Sequence, residues 1–281
     1  MLQDDTYGPP TYGVGMPIIV SFSARITEAR DFVAATTVQV DGHPARGYWY
    51  FEVSADRAFP VKASFVPYTV NPPVYAQGVH TLWPANSRIT MTMKTKGVSA
   101  GTGMTFANNL SLHMNVADAH ISTVDCAEGV EHMVSRSNGV PWRGFPVSCG
   151  SAQHPTYTGV KVVMQKGEPD PASGKLRPNG AVIMRGPGYE SLVNWSVRIT
   201  NSGEYVHDAP WNIGNIGTRS TSHGCTNLRD ADAIAYYNWA RVGDVVLHSN
   251  TGGGKMPFWD GYGTHNLSLA QLRTGGLVST R

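Results

Sequence analysis

Period-two alternation dominates the first part of the chain. Trp49, Phe51 and Val53 alternate with Tyr48, Tyr50 and Glu52. Ile89, Met91 and Met93 alternate with Thr90, Thr92 and Lys94. Leu110, Leu112, Met114 and Val116 alternate with Ser111, His113 and Asn115. Successive side chains of a strand point to opposite faces, so each run predicts one face on a core and one in water. Asp41-Gly42, Asn71-Pro72-Pro73, Pro84-Ala85-Asn86 and Ser99-Ala100-Gly101 separate the runs as turn signals. About six or seven strands at this spacing predict an immunoglobulin-like β-sandwich over residues 15–118. Residues 1–14, rich in Gly, Pro and Tyr, read as a tail or linker.

A second β-rich domain is expected over residues 119–250. Ile121–Asp125, His132–Arg136 and Phe145–Ser148 predict a meander, with Asn138-Gly139 as a hairpin turn. Gly159–Gln165 and Asn194–Thr200 follow as strands. Between them, residues 166–189 are rich in Gly, Pro, Lys and Arg and read as a long loop, of a length that is more often functional than accidental. One helix is predicted, Ala231–Arg241, capped by Asp230 and ended by Gly243. Val245–Leu247 returns as a strand. Residues 251–281 read as an extension packing back on this second domain. The fold class is mainly β with few helices.

Composition agrees with that class. Gly and Pro number 31 and 18 among 281 residues, while charged residues make up only 15%. A net charge of +2 gives no reason to expect a nucleic-acid partner. No apolar run is long enough for a membrane span. Met1–Asp5 reads as a trimmed start without a signal peptide.

The chemistry concentrates in residues 207–227. His207-Asp208-Ala209-Pro210-Trp211 is followed, after ten intervening residues, by Ser222-His223-Gly224-Cys225-Thr226-Asn227. A cysteine in a polar, glycine-containing turn has the surroundings of an activated thiol rather than of a core position. His207 and His223 are both candidate bases. Backbone N–H groups through His223-Gly224-Cys225 are candidate oxyanion donors. Zinc ligation by His207, His223, Cys225 and His248 is the competing chemistry, and this spacing matches no common finger or ribbon. No metal and no cofactor is expected. Cys126 and Cys149 end the first and third meander strands and form either a disulfide or two half-buried thiols.

His, fourteen residues, then Ser-His-Gly-Cys-x-Asn resembles the signature of the L,D-transpeptidases, the YkuD-type catalytic domain. The preceding sandwich resembles that of actinobacterial and mycobacterial members. Two positions depart from the family pattern. Thr226 stands where an apolar residue is usual, and Asp208 stands where Ser is common and could raise the His207 pKa. The resemblance implies that Cys225 is the nucleophile, that His207 is the general base, and that Gly203 holds His207 through its backbone carbonyl. His223, Gly224 and Cys225 would supply oxyanion N–H groups, with Ser222 and Asn227 ordering the turn. Tyr189 would be a lid over the pocket. Trp211 and Asp208 would border the substrate, Trp211 more as a packing wall than as a contact.

The implied reaction joins peptidoglycan stem peptides by 3→3 cross-links through a cysteine acyl-enzyme, with release of D-Ala. Carbapenem β-lactams would acylate the thiol. An L,D-carboxypeptidase using water, or a non-catalytic cell-wall-binding protein, are the alternatives. The resemblance also implies an exported protein of the periplasm or cell wall, membrane-anchored in its full-length form.

Overall fold

In a computed structural model, residues 10–54, 58–186, 189–278 and 280 are described. The chain divides into two compact units: residues up to Asp118 together with 267–281, and residues 119–266.

The first unit carries β1 (Ile18–Phe22), α1 (Arg30–Ala34), β2 (Thr36–Val40), β3 (Gly47–Val53), β4 (Val61–Pro67), β5 (Arg88–Met93) and β6 (Leu110–Val116). One sheet has β5 at its centre, antiparallel to β6 and β2; the other is β1-β4-β3. Val20 and Phe22 of one sheet line the same cleft as Met93 and Leu110 of the other, so the two sheets face each other as a β-sandwich. Ile89, Met91 and Met93 are all buried, as their alternation requires. In β3 the pattern breaks. Val53 is 64% exposed while Glu52 is buried beside Lys62, at 3.3 Å.

Both ends of the chain depart from the sequence reading. Residues 10–14 are no linker: Thr11–Tyr12 pairs in parallel with Asn115 and Val116, and Val14 is fully buried. Residues 1–9 lie outside the described residues. At the other end, only residues up to Asn266 group with the second unit. Residues 267–281, expected to pack on the second domain, belong instead to the first unit. Ser268 and Gln271 form a reciprocal capping box that starts a helix, Leu269–Thr274. Two left-handed glycines, Gly275 and Gly276, then lay the chain along β3, where the Phe51 N–H donates to the Gly275 carbonyl at 2.9 Å. A Cβ on Gly276 would stand 2.2 Å from the Phe51 carbonyl oxygen, so only glycine permits this approach.

The second unit carries β7 (His120–Asp125), β8 (His132–Ser137), β9 (Val140–Pro146), β10 (Gly159–Val162), β11 (Val182–Gly186), β12 (Tyr189–Val193), β13 (Val197–Arg198), β14 (Tyr205–Asp208), β15 (Thr226–Leu228), α2 (Asp230–Trp239) and β16 (Val245–Ser249). One sheet runs β9-β8-β7-β16-β10, with β7 parallel to β16. Asn138 and Gly139, both left-handed, make the tight β8–β9 turn. A second sheet orders Gln165–Lys166, β13, β14 and β15, and β14 and β15 are parallel. Val124, Met133, Phe145, Val197, Ile199, Val206, Leu228, Tyr236 and Val246 form one apolar core that draws on both sheets and α2.

Two further readings are corrected. The 166–189 stretch is not a plain loop, since β11 and β12 form an antiparallel hairpin that begins inside it. The helix starts at Asp230, with Arg229 rather than Asp230 in the capping position and no side-chain cap, and it stops at Trp239. Gly243 turns the chain only afterwards, with φ 93°. Among the described residues no helix is long and apolar enough to cross a membrane.

Cys126 and Cys149 are joined in a disulfide within the core of this unit. The Cys149 carbonyl accepts the Ser222 N–H at 2.9 Å, so the bond also braces the turn that precedes Cys225. The cysteines stand 23 positions apart in sequence, and loop-closure entropy for a loop of that size makes the bond worth about 3 kcal/mol. A Cys126→Ser/Cys149→Ser variant should lose about 6–12 °C in Tm, read by calorimetry; an unchanged Tm would contradict this.

Candidate active site

Parallel pairing of β14 with β15 builds the site. Val206 pairs with Thr226, His207 with Asn227 and Asp208 with Leu228. Val206 and Leu228 point into the core, so alternation sends His207 and Asn227 to the other face. Cys225 immediately precedes β15 and lies on that same face. There His207, Cys225, Asn227, Ser222, His223, Thr221, Trp211 and Asn212 line a cavity of about 330 Å³. The hairpin supplies the opposite wall through Met184, Ser191 and Val193.

His207 is buried and held at both ring nitrogens. Nδ1 donates to the Asp208 carbonyl at 2.6 Å, and Nε2 accepts from Asn227 Nδ2 at 3.1 Å. These bonds select the neutral tautomer protonated on Nδ1, with Nε2 bearing the lone pair. Burial lowers the His207 pKa to about 4, partly offset by the Asp208 carbonyl. Gly203 is therefore not the residue that holds His207. Its carbonyl lies beside Cys225 instead, with the thiol donating to it at 3.6 Å.

Asp208 does not raise the His207 pKa. Its side chain shares the face of Val206, away from the imidazole. Burial and then Asp230 push its own pKa up to about 6, and its Oδ1 has no hydrogen-bond partner.

The Ser222–Cys225 turn is tied from inside. Ser222 Oγ donates to the Cys225 carbonyl at 2.6 Å and accepts the Gly224 N–H at 3.1 Å. That takes the Gly224 N–H out of the expected oxyanion set. Gly224 sits at φ 109°, a conformation that disfavours a side chain. The exposed His223 ring stacks on His154, centroids 4.5 Å apart. Burial pushes the Cys225 thiol up to about 12; the Tyr205 N–H lowers it, Glu204 raises it and Lys161 lowers it. Trp211 is 64% exposed at the cavity and stacks toward His207, centroids 6.1 Å apart. Tyr189 opens β12, but its side chain lies outside the described residues. Thr226, the polar departure, is fully buried and bonded to His248 Nε2 at 2.9 Å. A hydroxyl is tolerated in that apolar position because it has a partner there. The same bond commits His248 elsewhere than the cavity.

Sequence reading missed two supports. Asn212 Nδ2 donates to Asn227 Oδ1 at 3.3 Å and to Ser148 Oγ at 3.1 Å. That contact turns the Asn227 amide so that its NH₂ meets His207. Thr156 Oγ1 accepts the Gly150 N–H and donates to the Gly224 carbonyl, both at 2.8 Å. Asn212 directly follows the Ala-Pro-Trp run, which was its one available signal; Thr156 had none.

The chain is similar to known proteins over the span that carries this site. Residues 121–247 match the YkuD family, the L,D-transpeptidase catalytic domain. The chain is 28% identical over 263 residues to L,D-transpeptidase 2 of Mycobacterium tuberculosis (strain CDC 1551 / Oshkosh), covering 94% of this chain but only 59% of that protein's length. It is 29% identical over 247 residues to Probable L,D-transpeptidase 3 of Mycobacterium tuberculosis (strain ATCC 25618 / H37Rv), covering 84% of this chain and 81% of that protein. The structure of LD transpeptidase LdtMt1 in complex with imipenem superposes with a TM-score of 0.65 at 23% identity, over 86% of this chain and 94% of that one. The matched span, residues 121–247, carries both blocks of the site, His207–Trp211 and Ser222–Asn227, and is similar to the L,D-transpeptidase catalytic domain of the YkuD family.

Proposed function

We propose that the protein is a peptidoglycan L,D-transpeptidase that forms 3→3 cross-links through an acyl-enzyme on Cys225. One observation carries the reading: His207, protonated on Nδ1 so that Nε2 is its basic nitrogen, lines the same cavity as Cys225. Sγ attacks the carbonyl of the third residue of a tetrapeptide stem while Nε2, exchanging the Asn227 N–H for the thiol, takes the thiol proton. The C–N bond to D-Ala then breaks, and D-Ala leaves as the amine with that proton. An acceptor side-chain amine attacks the thioester, the C–S bond breaks, and the amine's proton returns to sulfur through His207. Asn227, oriented by Asn212, steers the imidazole. Trp211 and the β11–β12 hairpin, with Tyr189 at its turn, border the groove, and the N–H groups of His223 and Cys225 face the developing oxyanion. The sandwich unit serves as a spacer toward the polymer. The protein acts outside the cytoplasmic membrane.

The imipenem complex of the LdtMt1 structure supports β-lactam acylation of this thiol. Intact-protein mass spectrometry should show one carbapenem adduct on the wild type and none on Cys225→Ala. Disaccharide-tetrapeptide should yield D-Ala and dimer, both lost in Cys225→Ala. Tripeptide without dimer would instead identify an L,D-carboxypeptidase, and absence of any adduct would identify a non-catalytic binding protein.

The pH profile tests the base. The thiol at about 12 and the imidazole at about 4 are both uncharged at neutral pH, so proton transfer accompanies attack. A lowered imidazole pKa keeps the base form as pH falls, and that form is lost only on passing through about 4. The carbapenem acylation rate of Asp208→Asn, which removes the carboxyl titrating at about 6, should therefore show no acid limb near pH 6.5. A limb there would move the base to another histidine, His223 first.

A further inference from the structure

Behind Cys225 lies a buried ion pair that acyl transfer does not use. Lys161 on β10 is fully buried, and its Nζ donates to Glu204 Oε2. The other carboxylate oxygen of Glu204 accepts the Tyr157 N–H at 2.8 Å. The Glu204 backbone is tied as well, its N–H to Thr200 Oγ1 at 2.9 Å and its carbonyl to the Ile199 N–H at 3.0 Å. Glu204 thus stands immobilised between Gly203, whose carbonyl meets the thiol, and Tyr205, whose N–H also faces it. A Cβ built on Gly224 would lie 3.6 Å from both Cγ and Oε1 of Glu204, so the carboxylate is the floor of the turn.

Apolar residues would fill this volume without the desolvation cost of two buried charges, and such replacements are often neutral or stabilising. Stability alone is therefore a poor reason for the pair. Its members face the sulfur with opposite signs; Asp260 and His248 complete the polar surroundings of Lys161.

We propose that the Lys161–Glu204 pair is a positioning element for the nucleophile, holding the Gly203 carbonyl and the Gly224 turn against Cys225 and balancing two opposite charges behind its sulfur. The proposal rests on reading Cys225 as the nucleophile. Neither residue touches substrate; both act through Cys225.

The test is the rate of Cys225 alkylation by iodoacetamide at pH 8–10, beside carbapenem acylation, in full-length Lys161→Met, Glu204→Gln and the double variant. Lys161→Met leaves the carboxylate alone behind the thiol and should slow alkylation about tenfold; Glu204→Gln removes the repelling charge and should speed it about tenfold. The double variant leaves no unpaired buried charge. Its alkylation should fall between the two, with carbapenem acylation about fivefold below wild type at an unchanged Tm, a loss of position rather than of charge balance. Changes of the same sign in both single variants, or none, overturn the proposal. Should the single variants fail to fold, the double decides. Wild-type acylation at native Tm, or failure of the double to fold, assigns the pair to stability and overturns the proposal. If wild type alkylates but takes no carbapenem, the transpeptidase reading fails, while opposite shifts in alkylation still uphold the pair's role.

Discussion

Everything at the site depends on the parallel register of β14 and β15. It sets His207 beside Asn227 across two blocks of sequence. A slip of one residue would send Val206 and Leu228 into the cavity and His207 into the core, because side chains alternate faces. The apolar residues Val206 and Leu228 therefore do more than fill space. By burying one face they oblige the polar residues of the same strands onto the other. The disulfide, through the Cys149 carbonyl, and Thr156, through Gly224, brace the turn so that Cys225 enters β15 in that register.

Burial then decides the chemistry. A half-solvated cysteine and histidine would sit near their ordinary pKa values. Removed from water, both are driven toward their neutral forms, the thiol upward and the imidazole downward. The site thus keeps an uncharged thiol and an uncharged imidazole in the same cavity. The burial that favours the neutral imidazole also makes the Asp208 carboxyl weak as an acid, and strand alternation turns it away from the histidine it adjoins in sequence. Burial presses Lys161 and Glu204 in the same sense, lowering the lysine and raising the carboxyl, and their mutual attraction opposes it behind the Cys225 sulfur.

Much of this was legible along the chain. The period-two runs located most strands, because a half-buried strand writes its two environments into alternate residues. Asn138-Gly139 marked a tight turn, because only residues tolerant of positive φ fit there. The Ser-His-Gly-Cys turn stood out because its polarity contradicts a core position. Other features left weaker marks. The β11–β12 hairpin was hidden in a stretch of Gly, Pro, Arg and Lys, since its strands are short and half-exposed. The helix Leu269–Thr274 was announced only by Ser268 and Gln271, and its attachment to β3 by two glycines whose role depends on a strand more than 200 residues earlier in the chain.

The sequence by itself determined the β-rich class, the identity of the candidate nucleophile and base, and the turn that carries the thiol. These are written in local pattern and residue chemistry. Only the tertiary structure decided which carbonyl holds His207, that Gly224 spends its N–H on Ser222, that Cys126 and Cys149 are bonded, and that Lys161 pairs with Glu204 beneath Cys225. Each of these is a contact between groups whose partner is chosen by strand register and burial, and neither can be read from the neighbours of a residue along the chain.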